Sequence, residues 1–291
     1  MADMHTMSKL KIAVQKSGRL SEDTLKLFKE CGIKFNNGVK KLKTISTNFP
    51  VEFLFLRDDD IPGYVEDGIA DLGVVGQNVH IEAAKDVVEV KPLGFSKCRM
   101  SLAIPREEEY TDISFFQGKS IATSYPVILN HFLQEKGIES EIHEISGSVE
   151  IAPGIGLAAG ILDIVSSGST LMSNGLKEVE VVMKSEATLV ASKNLNDEKK
   201  KLLDNIIFRI DAVLEGRNNK YVLLNAPNDS IDHILQLLPG MRSPTVIPLA
   251  TEGWSSIHSV INEDEFWVNI EKLRDAGAEG ILVVPIEKMI R

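Results

Sequence analysis

The sequence predicts an α/β protein, and three observations carry that reading. Through the first two thirds of the chain, short apolar strands alternate with helical segments, the pattern of mainly parallel sheets covered on both faces. The last third changes to βαββαβ, the order of a small ferredoxin-like sandwich. The length of 291 residues leaves room for two or three units of roughly 100–200 residues each.

Residues 9–14 read as a short buried strand, followed by the polar turn Gln15-Lys16-Ser17-Gly18-Arg19. Ser21 is placed to cap the next helix, with Glu22 and Asp23 in its first turn against the helix dipole. Leu20 and Leu25 have the spacing of a hydrophobic staple. Leu25 and Phe28 continue the inner face, and Gly32 closes the helix. Residues 51–56 form a second strand that runs into Arg57-Asp58-Asp59-Asp60. Pro62 suits the first turn of another helix, which Gly68 stops. Residues 69–75, carrying Asp71, read as a strand, as do 87–92 and 98–104.

A second set begins near Pro105. It comprises a strand at 119–123, a helix at 126–136 ended by Gly137, and a strand at 141–145. A short small-residue helix at 154–160 follows, then a strand at 162–165 that opens into Ser166-Ser167-Gly168-Ser169-Thr170. Strands at 179–183 and 187–191 precede a polar helix at 197–216. Its apolar residues Leu202, Leu203, Ile206, Ile207, Ile210, Val213 and Leu214 fall at helical spacing, and it is expected to carry the chain away from the preceding sheets. Arg217-Asn218-Asn219-Lys220 is the expected linker. The βαββαβ module then occupies strands 221–225, 245–249, 255–261 and 280–284 with helices 230–238 and 263–276. Trp254 and Trp267 are expected in its core.

The net charge of −10 argues against general nucleic-acid binding, which needs a basic face. It leaves room for a small anionic substrate, because a few cations and backbone N–H groups in a cleft reverse the local potential. No run of about 18 apolar residues predicts a membrane span. The start of the chain lacks the charged, apolar and small-residue succession of a secretory leader, so a cytoplasmic protein is expected. Cys31 and Cys98 show no metal-type spacing and read as apolar fillers. The six histidines form no HxH or HxxxH pattern, and there is no GxSxG elbow.

Four segments can carry chemistry. Ser166–Thr170 follows an apolar strand and precedes a helix. Gly168 permits positive φ and close approach of an anion, the hydroxyls of Ser166, Ser167, Ser169 and Thr170 add donors, and the helix start adds backbone N–H groups. This suits a phosphate monoester. The loop has no Lys, so it is not a GxxxxGK[ST] nucleotide loop. Asp163, just upstream, can accept hydrogen bonds from sugar hydroxyls. The competing reading is an ordinary Ser/Gly turn. Arg57-Asp58-Asp59-Asp60 stands at the strand end where open α/β sheets bind ligands. Its carboxylates need solvent, Arg57 or a cation such as Mg2+, or it is a solvated turn capped by Asp60. In the first turn, Lys16 and Arg19 can reach phosphates with Gly18 allowing close approach, or they are merely exposed bases. Asp71 to Asn78, with Gly73 and Gly76, is a weak nucleotide-loop pattern.

Taken together, segments 11–33, 57–79, 98–103, 118–126, 147–181, 237–249 and 281–289 resemble ATP phosphoribosyltransferase in its long form, the first enzyme of histidine biosynthesis. The resemblance implies a transfer of the ribosyl group of 5-phosphoribosyl 1-pyrophosphate (PRPP) to adenine N1 of ATP, with Mg2+, releasing pyrophosphate. It implies that Asp163 holds the ribose hydroxyls and Ser166–Thr170 the 5′-phosphate. Leu162 stands where some phosphoribosyltransferases of another fold carry a second acid. Lys16, Gly18, Arg19 and Arg57 would meet ATP or pyrophosphate, with Arg57 and Asp163 in the catalytic roles and Asp71 and Gly76 lining the first lobe's side of the cleft. It further implies two periplasmic-binding-protein-like lobes, 1–104 with 186–217 and 105–185, crossing near Pro105 and Ser185. The C-terminal domain, 220–291, would bind histidine as feedback inhibitor, with Asn225, Thr245 and Ser256 as candidate contacts. AMP would also inhibit, and the assembly would run from dimer to hexamer. A two-lobed binding protein without catalysis, or a transferase using another acceptor, remains the alternative.

Overall fold

A computed structural model describes residues 9–36, 42–238, 240 and 243–290. The chain divides into two compact units, Met1–Asp204 and Asn205–Arg291, and the first contains two sheets.

The first sheet is built on β1 (Leu10–Gln15), β2 (Lys43–Ile45), β3 (Val51–Leu56), β4 (Leu72–Gly76), β5 (Val87–Pro92) and β11 (Ala187–Ser192), in the order β2-β3-β1-β4-β11-β5. β3, β1 and β4 run parallel, so the turns after Gln15, Leu56 and Gly76 share one edge. Leu10, Ile12, Ala13 and Val14 are fully buried, as the apolar run at 9–14 requires. Helices α1 (Arg19–Glu30), α2 (Ile61–Glu66) and α3 (Gln77–Ala83) follow those three strands, each at the ligand-type edge of an open α/β sheet.

The second sheet joins β6 (Cys98–Pro105), β7 (Ser120–Thr123), β8 (Glu141–Glu144), β9 (Gly160–Val165) and β10 (Leu176–Ser185), in the order β10-β6-β9-β7-β8. β9, β7 and β8 are parallel, and β6 and β10 are antiparallel additions. Helices α4 (Pro126–Lys136) and α5 (Ser169–Ser173) belong to this lobe. Met100, Leu102, Ile104, Phe116, Ile121 and Leu129 form one side of its core.

The last module has β12 (Asn219–Pro227), α7 (Ile231–Leu237), β13 (Thr245–Pro248), β14 (Trp254–Asn262), α8 (Glu263–Asp275) and β15 (Glu279–Pro285), with strand order β13-β14-β12-β15. All neighbours are antiparallel, which is the ferredoxin-like arrangement expected. The segment 237–249 includes Pro239, Met241 and Arg242, and the N-terminal eight residues include His5; these lie outside the described residues.

Several expectations need correction. α1 starts at Arg19 after Gly18, and Ser21 is a buried residue inside the first turn rather than its cap. The inner face is Ser21, Thr24, Leu27 and Phe28, with Leu25 only partly covered. Residues 154–160 are turns, not a helix. Gly160 already belongs to β9, where a Cβ would stand 2.8 Å from the Ala103 carbonyl oxygen and 2.7 Å from Phe116; its small size serves strand packing. β6 lies in the second sheet, so the first crossing is at residues 93–97, not at Pro105, and the return falls at Glu186 between β10 and β11. There is no linker at 217–220: α6 (Asp197–Asn218) runs directly into β12, and the unit boundary falls inside the helix. Trp267 is 68% exposed and Trp254 half-buried, because Phe266 and Leu273 supply the inner face of α8.

Candidate active site

Within the first unit, a cavity of about 440 Å³ opens between the two sheets, lined from one by Asp59, Val79 and Glu82 and from the other by Ser124, Tyr125 and Glu144. These residues follow the carboxyl ends of β3, β7 and β8 or sit on α3, so both lobes present their ligand-type edges to one cleft. Glu82 spans it. Its two carboxylate oxygens accept the Val127 N–H at 2.9 Å and the Ile128 N–H at 3.0 Å. These are free N–H groups of the first turn of α4, which Pro126 opens, so a carboxylate of one lobe caps a helix of the other.

The crossings lie beside this clamp. Cys98 and Ser185 are paired across β6 and β10. The Asn78 N–H donates to Ser185 Oγ at 3.1 Å, and that hydroxyl donates to Asn78 Oδ1 at 2.9 Å. The Gln77 N–H donates to the Glu186 carbonyl at 2.9 Å. Asn78 also meets the Tyr125 hydroxyl, and burial, followed by the charges of Asp163, Asp59 and Asp58, pushes the Tyr125 phenol far up. It stands in the cleft as a neutral hydrogen-bonding group.

A smaller cavity of about 170 Å³ lies at the end of β9. Asp163, Glu150 and all of Ser166, Ser167, Gly168, Ser169 and Thr170 line it. Gly168 takes φ 81° and ψ 0° at the entry to α5, a left-handed conformation that a β-carbon disfavours. The Ser167 and Ser169 hydroxyls lie 3.0 Å apart, and the side chains of Ser166, Ser167, Ser169 and Thr170 are exposed. Since α5 is five residues long, a helix dipole adds little here, and the donors the loop offers are its own hydroxyls and N–H groups. Asp163 is partly buried, and that burial, together with the charge of Glu150, raises its carboxyl above the usual range despite the Ile164 N–H that it accepts at 2.7 Å.

The other expected residues separate. Lys16, Gly18, Arg19 and Arg57 are exposed at the ligand-type edge of the first sheet, with Gly76 at the end of β4. Arg57 tempers the acidic run: burial and the charges of Asp58 and Asp60 raise the Asp59 carboxyl, and Arg57 opposes them. Asp60 makes no side-chain cap. Asp71 is a correction. It precedes β4, at the edge remote from the cleft, where its carboxylate accepts the Lys11 N–H and pairs with Lys199 at 2.7 Å. It ties β1, β4 and the start of α6 together and does not line the cleft. Sequence reasoning missed Glu150, Tyr125 and Glu82, and gave Asn78 no role beyond closing a weak nucleotide-loop pattern. Glu150 carried a faint signal, a lone acid in the apolar run Val149-Glu150-Ile151; Glu82 carried none, since its partners are 45 and 46 positions away.

Among the described residues, no group of three or more His, Cys, Asp or Glu side chains converges as a metal cage. The cleft does offer hard carboxylate oxygens on Asp58, Asp59, Asp163 and Glu150, the donor type that Mg2+ prefers, and that ion commonly binds through one or two carboxylates plus substrate phosphates.

In the last module, Asn225 pairs with Ser256, and Thr245 with His258. All three candidates fall on the sheet face opposite the buried residues Val222, Leu224, Ala226 and Ile257. Ser256 Oγ meets His258 Nε2 at 3.1 Å, and the Tyr221 hydroxyl meets His258 Nδ1 at 2.8 Å.

Comparison with known proteins agrees across the chain. The family model for ATP phosphoribosyltransferase matches residues 57–212, and the model for the HisG C-terminal domain matches 216–288. An ATP phosphoribosyltransferase of Cytophaga hutchinsonii is 58% identical over 282 residues, covering 97% of this chain and 99% of the relative. One from Bacteroides thetaiotaomicron is 58% identical over 281 residues, with the same coverage. Among solved structures, the ATP phosphoribosyl transferase (HisG:HisZ) complex from Thermotoga maritima superposes with TM-score 0.58 at 26% identity, over 69% of this chain and 98% of that one.

Proposed function

The chain belongs to the ATP phosphoribosyltransferase family, in the long form that carries the C-terminal domain, and from that premise we propose how its cleft divides the two substrates. The family's reaction is the condensation of ATP with PRPP at the head of histidine biosynthesis: adenine N1 attacks C1 of the ribose, and pyrophosphate leaves. Adenine N1 is already nucleophilic. The difficult parts are aligning two polyanions and stabilising the leaving pyrophosphate beside a cation-like ribosyl centre, which are tasks of positioning and electrostatics.

The loop Ser166–Thr170 takes the 5′-phosphate of PRPP, and Asp163 accepts hydrogen bonds from the ribose hydroxyls. One observation carries this: Asp163 and the five loop residues line a single cavity. Glu150, which lines the same cavity, supplies the second carboxylate that Leu162 cannot. Lys16, Gly18, Arg19, Arg57 and Gly76 face ATP and the departing pyrophosphate, and Arg57 offsets charge there. Mg2+, when bound with the phosphates, would neutralise part of their charge. Asp59 and Asp163 are the carboxylates that would hold it, and Tyr125, which feels the charge of both, adds an uncharged donor.

Purified protein given ATP, PRPP and Mg2+ should form phosphoribosyl-ATP, read by its distinct ultraviolet absorbance. In the same assay Thr170→Ala should raise KM for PRPP more than KM for ATP. The opposite order would move the loop to the ATP side.

The last module is the site of feedback inhibition by histidine, with Asn225, Ser256 and Thr245 on one sheet face as contacts and His258 between them. AMP inhibits at the cleft, and the chain assembles as a dimer to hexamer. Truncation near Arg217 is a poor test, because the backbone of residues 286–288 packs within about 3 Å of where a Gly216 Cβ would stand. Ser256→Ala is cleaner: histidine inhibition should weaken while uninhibited turnover holds. Unchanged inhibition would place the effector elsewhere. No described helix is long and apolar enough to cross a membrane.

A further inference from the structure

We propose that Arg99 and Glu178 are a positioning pair for the phosphate loop, setting the direction of its first N–H group through the Ser166 carbonyl; this rests on the reading of that loop as the PRPP site. Arg99 lies on β6, opposite Val165 at the end of β9. Its Nε and one terminal nitrogen donate to the two carboxylate oxygens of Glu178 at 2.5 and 2.6 Å, a two-pronged geometry. The other terminal nitrogen donates to the Ser166 carbonyl oxygen at 3.1 Å. Glu178 is itself fixed: it accepts the Ser101 hydroxyl at 2.7 Å, and Ser101 is paired with Asp163 across β6 and β9. A register shift between Glu178 and Glu180 is the kind of bulge that re-aims a side chain. The pair therefore spans β10, β6 and the exit of β9, with Asp163 in the same network of strands.

The guanidinium is not spare positive charge for a phosphate. Glu178 neutralises it, and the pairing holds the Glu178 carboxyl below its usual range. Its effect passes through the peptide unit. In a planar trans peptide the C=O and the following N–H point in opposite directions. Holding the Ser166 oxygen against Arg99 therefore turns the Ser167 N–H away from Arg99 and fixes the start of the turn at Gly168. At the far end, Arg106 donates to the carbonyls of Met172 at 3.2 Å and Leu176 at 3.4 Å, so the segment from Ser166 to Leu176 is held at both ends by arginines from β6 and its exit. An anion site of hydroxyls and backbone N–H groups with no lysine depends on such prior orientation, because nothing flexible and charged can compensate for a misdirected dipole.

The test is a KM comparison on the full chain. Arg99→Lys keeps the charge and loses the fork, so it cannot hold Glu178 and Ser166 together. It should raise KM for PRPP about tenfold while KM for ATP changes less than about twofold. Glu178→Gln leaves Arg99 in place but unpinned, and should give the same selective change at roughly threefold; it also serves if the lysine variant folds poorly by thermal melting. Thr170→Ala is run alongside. If Thr170→Ala raises KM for PRPP and neither pair variant does, or if the pair variants raise both KM values equally, the positioning role is overturned and the loop assignment stands. If Thr170→Ala leaves PRPP untouched, the loop assignment itself falls, and the inference with it.

Discussion

The two edges of the cleft are built on opposite plans. On the first lobe, the cations at the ligand-type edge are long and exposed: Arg19 has a side chain 85% exposed with Asp23 at 3.8 Å, and Lys16 and Arg57 are likewise exposed. On the second lobe the groups are short and fixed, with a partly buried Asp163, a glycine in the left-handed region and a loop carbonyl held by Arg99. Long cations can follow the mobile phosphates of ATP and a departing pyrophosphate. A sugar phosphate held at its C5 and hydroxyl positions has one geometry to match, and a rigid pocket matches it at less entropic cost.

That contrast can be broken by substitution, and the largest effect belongs on the rigid side. Asp163→Asn should lower kcat/KM for PRPP about 10–100-fold; normal kinetics would remove Asp163 from the ribose. Glu82→Ala acts on the junction between the lobes. It uncaps α4 and should destabilise the protein by about 1 kcal/mol in denaturant titration, with both KM values rising together. A rise confined to one substrate would show that the clamp serves one lobe. Glu150→Gln tests the electrostatics of the small pocket. Asp163 accepts from a hydroxyl more strongly as the carboxylate than as the neutral acid, and after burial, the Glu150 charge is what raises its carboxyl. Removing that charge lets Asp163 stay ionised in more acid solution, so the acidic limb of kcat/KM for PRPP should move to lower pH. A limb that stays or moves upward contradicts this coupling. The smallest change belongs to the free side: Arg19→Ala should alter KM for ATP by no more than about threefold, as expected for an exposed, screened charge. A loss as large as that of Asp163→Asn would erase the distinction between the two edges.

The same contrast governs what could be read from the sequence. Strands such as Val51–Leu56 and Val87–Pro92 were legible because apolar runs bounded by turn residues have few other uses, and the Ser166–Thr170 loop because a polar, glycine-bearing stretch after such a strand is uncommon. The βαββαβ module followed from element order alone. Asp71 misled because an acid beside a strand looks the same at either end of it; its pairing with Lys199, distant in sequence, decides the matter. The crossing was placed at Pro105 because a proline reads as punctuation, whereas the sheet to which β6 belongs is fixed by its pairing with β9 and β10. The supports of the site, Glu82, Arg99 and Glu178, are ordinary surface charges in sequence and gain their roles only when separate segments are brought together.

The paired crossing has a thermodynamic consequence. Cys98 and Ser185 lie side by side where the chain enters and leaves the second lobe, Asn78 is bonded to the same serine, and Glu82 joins the lobes across the cleft. Two chain passes and a helix-capping carboxylate link the two lobes beside the cleft. Where such links keep a cleft in its binding arrangement, affinity escapes the reduction that a rarely populated competent form imposes, and tightness is limited by the contacts each ligand makes. A cleft of this kind gains specificity from the placement of single N–H groups and hydroxyls, which gives the small braces around Ser166 a weight beyond their number.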